Sequence, residues 1–184
     1  LVRAYEKAGV SCIQLEDQVI PKRCGHMENK EVVDRDEAKT KIAAAVQSRN
    51  SDDFLIAART DSRATHGLDE ALRRGDAFLC AGADILFIEA PQSIEEMQKI
   101  KSTFPEVPLI ANMVEGGKTP ELSLEQIDQL GFKIVLRPVT ALLSATDALQ
   151  RCYSALLNES QHDKPPSMLS FDEYNKMIGL PDYE

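Results

Sequence analysis

The sequence predicts an α/β fold built around a parallel sheet, for two reasons. Short apolar runs alternate with longer amphipathic stretches up to about residue 163, and no linker rich in Pro, Gly or Ser interrupts them. A repeated order of strand and helix makes successive strands parallel. Polar residues also follow every run, where the strands of α/β enzymes carry their catalytic groups. No glycine-rich fingerprint follows a run, which disfavours a dinucleotide-binding sheet.

Each apolar run is short and rich in Ile, Leu, Val and Phe, which is typical of strands buried on both faces. The runs predict strands at 11–15, 54–58, 85–88, 107–111 and 133–136. The periodicity between them predicts helices at about 35–49, 68–81, 93–103, 123–130 and 139–157. Suitable N-capping residues support three helix starts: Asp34, Ser93 and Ser123. A glycine separates a helix from the next strand at three places: Gly9, Gly82 and Gly131.

The residues at the ends of the runs favour a barrel over an open sheet. In order, they are Glu16-Asp17, Arg59-Thr60-Asp61, Glu89, Asn112 and Arg137. Their spacings of 43, 30, 23 and 25 residues bracket the roughly 31 residues per unit of an eight-unit TIM-type barrel. The chain is therefore predicted to cover about the last five βα units of an (α/β)8 barrel. We assign residues 1–162 to the barrel, beginning inside a helix, and residues 163–184 to a C-terminal segment.

The composition disfavours several classes of partner. The 184 residues include 21 Lys and Arg against 30 Asp and Glu, and the formal charge of −9 repels nucleic acid and anionic membranes. No apolar run approaches the roughly 18 residues of a spanning helix, and the N-terminal residues show no signal-peptide pattern. The cysteines are widely spaced, which favours reduced thiols: Cys12, Cys24, Cys80 and Cys152. We expect a cytoplasmic protein, with an organelle matrix as the alternative.

The longest connection after a strand, residues 17–34, contains a candidate reactive thiol. Connections of this length commonly act as lids over active sites. Cys24 lies close to Lys22, Arg23 and His26, and positive charge favours the thiolate form, so that the thiol can both give and take a proton. The alternative is a surface cysteine in a basic loop. A zinc site is disfavoured because Cys24 and His26 supply only two ligands.

Five segments of the sequence resemble the isocitrate lyase and phosphoenolpyruvate mutase superfamily. They are Gln14-Leu15-Glu16-Asp17-Gln18, Lys22-Arg23-Cys24-Gly25-His26, Ala58-Arg59-Thr60-Asp61, Phe87-Ile88-Glu89-Ala90 and Asn112 to Pro120. The Lys-Arg-Cys-Gly-His loop resembles the 2-methylisocitrate lyase-like branch, since mutases of the superfamily lack that cysteine. The resemblance implies an (α/β)8 barrel in a homotetramer that exchanges a C-terminal helix between subunits.

The resemblance also implies roles for individual residues. Cys24 would be the general acid, Arg59 would clamp a substrate carboxylate, and Glu89 would orient substrate oxygens. Other substrate-binding roles fall on Lys22, Arg23, Gly25, His26 and Asn112. Glu16 would hold a water on Mg²⁺, with Mn²⁺ as the alternative ion.

The implied reaction is carbon–carbon cleavage of a small 2-hydroxy or 2-oxo dicarboxylate or tricarboxylate, of the methylisocitrate, dimethylmalate or oxaloacetate type. One alternative is a phosphonate-handling mutase or hydrolase on the same fold, of the carboxyphosphonoenolpyruvate phosphonomutase type. A third hypothesis is an inactive barrel fragment that only assembles with other subunits. The family's metal-binding aspartates belong to an earlier strand outside this chain, so we expect a longer polypeptide.

Overall fold

The computed structural model describes residues 1–157 and 168–183. The chain divides into two compact units, Leu1–Pro138 and Val139–Glu184. The predicted boundary at residues 162 and 163 lies outside the described residues and stays a prediction. No helix in the described part of the chain is long and apolar enough to span a membrane.

The first unit alternates strands with helices, as predicted. Its strands are β1 (Cys12–Glu16), β2 (Leu55–Thr60), β3 (Ile85–Ile88), β4 (Ile110–Asn112) and β5 (Ile134–Leu136). Its helices are α1 (Val2–Lys7), α2 (Arg35–Ser48), α3 (Ser62–His66), α4 (Leu68–Cys80), α5 (Ile94–Thr103) and α6 (Leu124–Gln129). The short helix α3 is absent from the predicted set, because a single turn has too few residues to show a hydrophobic period.

The second unit contains α7 (Thr140–Leu157), α8 (Phe171–Met177) and a 3₁₀ turn at Leu180–Tyr183. A capping box begins α8: Ser170 accepts from the backbone of Glu173, whose side chain accepts in return from the backbone of Ser170. In the single chain, no residue of α7 or α8 is buried.

All strand pairs of the first unit are parallel. β2 pairs with β1 and β3, and β4 pairs with β5. A parallel bridge between Leu86 and Leu109 connects the two sets, and the Leu86 N–H donates to the Pro108 carbonyl at 3.1 Å. The strands therefore follow one another in chain order, as they do in a barrel.

Both faces of the central strands are buried. One face contributes to the larger core: Ile56, Ala58, Leu86 and Ile88. The opposite face forms a smaller cluster: Ala57, Ile85, Phe87 and Ile110. Since successive side chains of a strand point to opposite faces, this arrangement requires the continuous apolar runs of the sequence.

Local signals set the ends of the helices where the sequence predicts them. The side chains of Asp34, Ser93 and Ser123 each accept a hydrogen bond from a backbone N–H in the first turn. The φ angles of Gly9, Gly82 and Gly131 are 84°, 96° and 84°, in the left-handed region that strains other residues. These glycines turn the chain from a helix into the next strand.

The largest differences from the predicted strand boundaries are in β2 and β4. β2 continues two residues beyond Ala58, so Arg59 lies inside the strand, whereas β4 begins at Ile110 instead of Val107. Glu16 of β1 and Phe87 of β3 flank Arg59 on either side. This pairing extends β2 through Arg59. The sequence did not predict the extension, because the paired residues are distant from Arg59 in the chain.

Candidate active site

The parallel register brings the polar residues at the carboxyl ends of the strands to one edge, here called the rim. Glu16, the last residue of β1, lies opposite Arg59 of β2. Glu89 directly follows β3, and its backbone N–H donates to the Thr60 carbonyl at 3.0 Å. Asn112 is the last residue of β4. The rim therefore collects four of the predicted site residues on neighbouring strands.

Arg59 is the central cation of the rim and is 8% exposed. Its guanidinium donates to both carboxylate oxygens of Asp61, at 2.9 and 3.0 Å. It also lies 3.4 Å from Glu16 and 3.6 Å from Glu89. The ring centroid of Phe87 is 5.0 Å from the guanidinium carbon. These neighbours hold a group that is suited to binding a carboxylate through two hydrogen bonds.

Glu89 is almost fully buried, and its hydrogen bonding is incomplete. Burial raises the pKa of Glu89, although the charge of Arg59 opposes that effect. Asn112 Nδ2 donates to Glu89 Oε1 at 3.1 Å. Glu89 Oε2 and Asn112 Oδ1 have no hydrogen-bond partner among the described residues. Because buried polar atoms normally have partners, these two atoms mark a place where a polar ligand would bind.

Ala90, the residue after Glu89, adopts a left-handed backbone conformation with φ of 55°. For an alanine this conformation costs roughly 1–2 kcal/mol. Residues held in such conformations concentrate at functional sites, where the surrounding packing maintains them. Ala90 is 1% exposed, so packing surrounds it on all sides.

The base of the 17–34 loop is a short antiparallel ladder. Gln18 pairs with Val32, and the Val19 N–H donates to the Glu31 carbonyl at 2.9 Å. The side-chain amide of Gln18 also donates to the Arg23 carbonyl and accepts from the Arg23 N–H, both at 2.9 Å. The loop is therefore an ordered arm that begins and ends at the rim.

Gly25 and His26 of this loop lie against the rim. A Cβ on Gly25 would overlap the Glu89 carboxylate, so a glycine is required for this close approach. His26 Nδ1 accepts a hydrogen bond from the backbone N–H of Lys118 at 2.9 Å. With Nδ1 as an acceptor, the neutral ring carries its proton on Nε2, which lies 3.4 Å from Glu89 Oε1. Burial, followed by the charges of Lys30 and neighbouring cations, lowers the pKa of His26 and favours this neutral form.

The other predicted loop residues are exposed. Lys22 pairs with Glu16, with 2.8 Å between Nζ and Oε1. Arg23 and Cys24 are both exposed, and Cys24 directly precedes the buried Gly25. The structure therefore brings Lys22 to the rim together with Gly25 and His26, while the roles of Arg23 and Cys24 stay predictions.

A buried network behind the rim was not found from the sequence. Asp17 accepts hydrogen bonds from Thr60 Oγ1 at 2.6 Å, from the Asp61 N–H at 2.9 Å and from Arg74 at 3.0 Å. The sequence places Asp17 and Asp61 at the ends of predicted strands, but it does not show that Asp17 binds Thr60, Asp61 and Arg74. Arg74 carries no positional signal, because nothing distinguishes it in the sequence from the exposed Arg73 beside it.

The described residues meet only part of the requirements of a magnesium site. Among them, no three His, Cys, Asp or Glu side chains are arranged to hold a metal ion. Glu16 Oε2 is buried and has no hydrogen-bond partner within the described ranges. Mg²⁺ keeps several waters and takes one or two carboxylates, so Glu16 fits a contact to the ion through water.

The parallel strands and their polar rim define an α/β protein of the TIM-barrel type. Residues 1–157 match the family model described as phosphoenolpyruvate phosphomutase. The chain belongs to this family, and the predicted membership of the superfamily is confirmed.

Curated relatives of the chain include two lyases. The 2,3-dimethylmalate lyase of Eubacterium barkeri is 49% identical over 97% of this chain and 62% of its own length. The 2-methylisocitrate lyase of Aeropyrum pernix is 39% identical over 100% of this chain and 59% of its own length. The chain therefore spans less than two thirds of either relative.

Solved structures match the fold closely. Oxaloacetate acetylhydrolase in complex with the inhibitor 3,3-difluorooxalacetate has a TM-score of 0.89 and 31% identity, covering 99% of this chain and 62% of that one. Phosphonopyruvate hydrolase in complex with oxalate and Mg²⁺ has a TM-score of 0.79 and 29% identity, covering 100% of this chain and 64% of that one. These matches confirm the predicted fold class.

Proposed function

We propose that the full-length protein is a Mg²⁺-dependent carbon–carbon lyase that acts on a small 2-hydroxy or 2-oxo dicarboxylate or tricarboxylate. The observation that carries this proposal is the set of buried polar atoms without partners between the rim and the 17–34 loop. Within the described residues, these atoms include Glu89 Oε2, Asn112 Oδ1 and His26 Nε2. The similarity to proteins named for dimethylmalate, methylisocitrate and oxaloacetate supports this class of substrate.

The unpartnered atoms define complementary groups on the substrate. Glu89 Oε2 and Asn112 Oδ1 are acceptors, so they suit a hydroxyl or a protonated carboxyl group. His26 Nε2 is a donor in the neutral ring and suits a carboxylate oxygen. Arg59 supplies the permanent positive charge that a dianionic or trianionic substrate requires. A molecule with carboxylates and a hydroxyl group on adjacent carbons combines all of these features, and a 2-oxo acid offers the same hydroxyl donor once water has added to its carbonyl.

The proposed chemistry assigns a separate task to each group. When bound, Mg²⁺ would supply a Lewis acid for the substrate oxyanion, with Glu16 holding one of its waters. Arg59, Glu89 and Asn112 orient the substrate so that its carbon–carbon bond breaks with the charge held at the rim. The substrate hydroxyl, or the hydroxyl that water forms by adding to a 2-oxo group, gives its proton to the Glu89 carboxylate, and its oxygen becomes a carbonyl or carboxyl oxygen as the carbon–carbon bond breaks. The electrons of that bond move to the carbon of the departing carboxylate fragment, and the Cys24 thiol gives its proton to this carbon and becomes a thiolate. The loop, resting on Glu89 through Gly25, shields the site from bulk water.

The test measures the release of 2-oxo acid from 2,3-dimethylmalate and 2-methylisocitrate, and of oxalate from oxaloacetate, with and without Mg²⁺. The wild-type full-length protein should cleave at least one of these acids, and Cys24→Ser should lower kcat by a factor on the order of 10²–10⁴. Cys80→Ser is the matched control, because Cys80 is also an exposed free cysteine but lies on α4. Equal activity of Cys24→Ser and Cys80→Ser would contradict the role of Cys24.

A phosphonate-handling enzyme is the second candidate, favoured by the family description and the match to phosphonopyruvate hydrolase. It predicts turnover of phosphonopyruvate or carboxyphosphonoenolpyruvate that does not need Cys24. Such turnover, without cleavage of any of the three acids, would replace the lyase proposal. Lyase activity that is lost in Cys24→Ser would instead exclude an inactive barrel fragment.

We extend the proposal to a cytoplasmic homotetramer that exchanges a C-terminal helix. Apolar side chains left exposed on α7 and α8 support an interface there: Leu142, Leu149, Phe171 and Tyr174. Light scattering of the full-length protein tests the assembly. A monomer at micromolar concentration would contradict it.

A further inference from the structure

Lys30, near the end of the 17–34 loop, is a buried cation outside the predicted site. Its side chain is 1% exposed, and the Asp61 carboxylate beside it is fully buried. A buried ammonium is costly unless it is paired and hydrogen-bonded. Lys30 Nζ has two partners, the Asp61 carboxylate at 3.3 Å and the Gly25 carbonyl.

The first contact of Lys30 holds the backbone of the loop beside Cys24. Gly25 lies so close to Glu89 that a Cβ would overlap the carboxylate. By binding the Gly25 carbonyl, Lys30 keeps the loop in this contact. The backbone position of Cys24, the predicted general acid one residue before Gly25, therefore depends on Lys30.

The second contact of Lys30 is with the Asp61 carboxylate, which also binds Arg59. Asp61 Oδ1 accepts a hydrogen bond from Arg59 Nη2 at 3.0 Å and lies 3.3 Å from Lys30 Nζ. Asp61 Oδ2 accepts a hydrogen bond from Arg59 Nε at 2.9 Å. The backbone N–H of Asp61 in turn donates a hydrogen bond to the Asp17 carboxylate at 2.9 Å. One fixed carboxylate thus binds both the cation of the loop and the cation of the rim.

The loop has a second attachment, which does not involve Lys30. His26 Nδ1 accepts from the backbone of Lys118, and the Lys118 ammonium pairs with Glu28. A Cβ on Gly117 would lie 2.5 Å from His26 Nδ1, so this attachment also depends on a glycine. A substitution of Lys30 should therefore loosen the loop without detaching it.

We infer that Lys30 is a positioning residue, which fixes the loop that carries Cys24 against Glu89 and, through the shared Asp61, couples the closed loop to the orientation of Arg59. This inference rests on the proposed lyase function for its kinetic consequence. Its structural consequence, the attachment of the loop, can be measured without any substrate.

The experiment compares Lys30→Met with Lys99→Met in the full-length protein. Met keeps the length and apolar stem of lysine and removes the ammonium. Lys99 is the matched control, because it also pairs with an aspartate, Asp69, at 2.7 Å, but on the exposed surface of α5. Trypsin cleavage after Lys22 and Arg23, both exposed in the loop, reports how firmly the loop is held. We expect Lys30→Met to be cleaved there at least five times faster than wild type, and Lys99→Met at the wild-type rate.

The kinetic readout separates positioning from general stability. We expect kcat for acid cleavage to fall at least tenfold in Lys30→Met, because the acid is misplaced and the orientation of Arg59 is less firmly set. The change in KM should be smaller, because Asp61 keeps its two hydrogen bonds to Arg59 and the guanidinium stays at the rim to bind the substrate. Lys30→Gln, which keeps a donor for the Gly25 carbonyl, should give intermediate values for both loop cleavage and kcat. It also serves as the second variant if Lys30→Met does not fold.

The outcomes distinguish failure of this inference from failure of the proposed function. Wild-type loop cleavage in Lys30→Met, or in Lys30→Gln if only that variant folds, overturns the inference whatever the activity. Unchanged kcat in an active lyase with only a lower Tm also overturns it, since that pattern indicates a merely structural role. A wild-type protein that cleaves none of the three acids overturns the proposed function, while faster loop cleavage still supports the attachment by Lys30.

Discussion

Glu70 and Glu89 are both carboxylates beside arginines, but the protein completes the hydrogen bonding of Glu70 and leaves that of Glu89 incomplete. Glu70, on α4, accepts hydrogen bonds from Arg35 at 3.0 and 2.5 Å, from Arg73 at 3.0 Å and from Arg74 at 3.1 Å. The Arg35 hydrogen bond, supported by Arg73 and Arg74, lowers the pKa of Glu70 to about 2. Burial instead raises the pKa of Glu89, which has one oxygen without a partner in the described structure.

The difference shows what a completed and an incomplete carboxylate site look like. Both oxygens of Glu70 are satisfied by the protein, so its charge stabilises the fold. The hydrogen bonds of Glu89 do not offset the free-energy cost of burying its charge, so the charge opposes folding. A ligand that supplied the missing hydrogen-bond partner would reduce this cost. We therefore treat Glu70 as structural and Glu89 as ligand-binding, and the following predictions test that division.

Replacing Arg74, the buried arginine that donates to Glu70, should have the largest effect on stability. Arg74 also donates to Asp17, which is 1% exposed, so Arg74→Met leaves a buried charge without its cation. We expect a loss of about 3–5 kcal/mol in the free energy of unfolding, measured by urea titration. Arg73→Met is the control, because Arg73 contacts the same Glu70 from the surface, and its loss should be less than about 1 kcal/mol. Equal losses in the two variants would contradict the buried network.

Neutralising Glu70 should have the next largest effect. At neutral pH, Glu70→Gln should lower the free energy of unfolding by about 1.5–3 kcal/mol, the contribution of hydrogen bonds to charged groups. The pKa of Glu70 falls from 4.5 to about 2 on folding, so its charge stabilises the fold above pH 4.5 and that contribution is lost between pH 4.5 and 2. Urea titrations across this range should show wild type and Glu70→Gln converging as the pH falls. A constant difference at all pH values would show that the charge is not responsible.

Neutralising Glu89 should have a smaller effect of the opposite sign. Its pKa is raised above 4.5 in the folded state, so the unfolded chain loses its proton first and stability falls as the pH rises past 4.5. Glu89→Gln should therefore unfold at a higher urea concentration than wild type at neutral pH, and the gain should disappear below pH 4.5. The same variant should lose the lyase activity that we propose, because the carboxylate of Glu89 becomes an amide. A variant less stable than wild type at neutral pH would place Glu89 with Glu70 as a structural group.

Much of the fold could be predicted because its signals are local. The caps at Asp34 and Ser123 and the glycine at Gly82 act within a few residues, and each is found where the sequence placed it. The rim residues Glu16 and Asn112 were also predicted, because a polar residue at the end of an apolar run can be recognised from the sequence alone. Nothing local distinguishes Lys30 or Arg74 from a surface cation, so both were missed.

The sequence by itself determined the alternation of strands and helices, the polar rim and the loop that carries Cys24. Composition and periodicity are sufficient for these features because hydrophobic burial acts on every residue of an element in the same way. Only the tertiary structure decided that Arg59 is held by Asp61, that Gly25 rests on Glu89, and that Lys30 joins the loop to the rim. The energy of a charge or a hydrogen bond depends on atoms a few ångströms away in space, and those atoms come from strands and loops that are far apart in the chain.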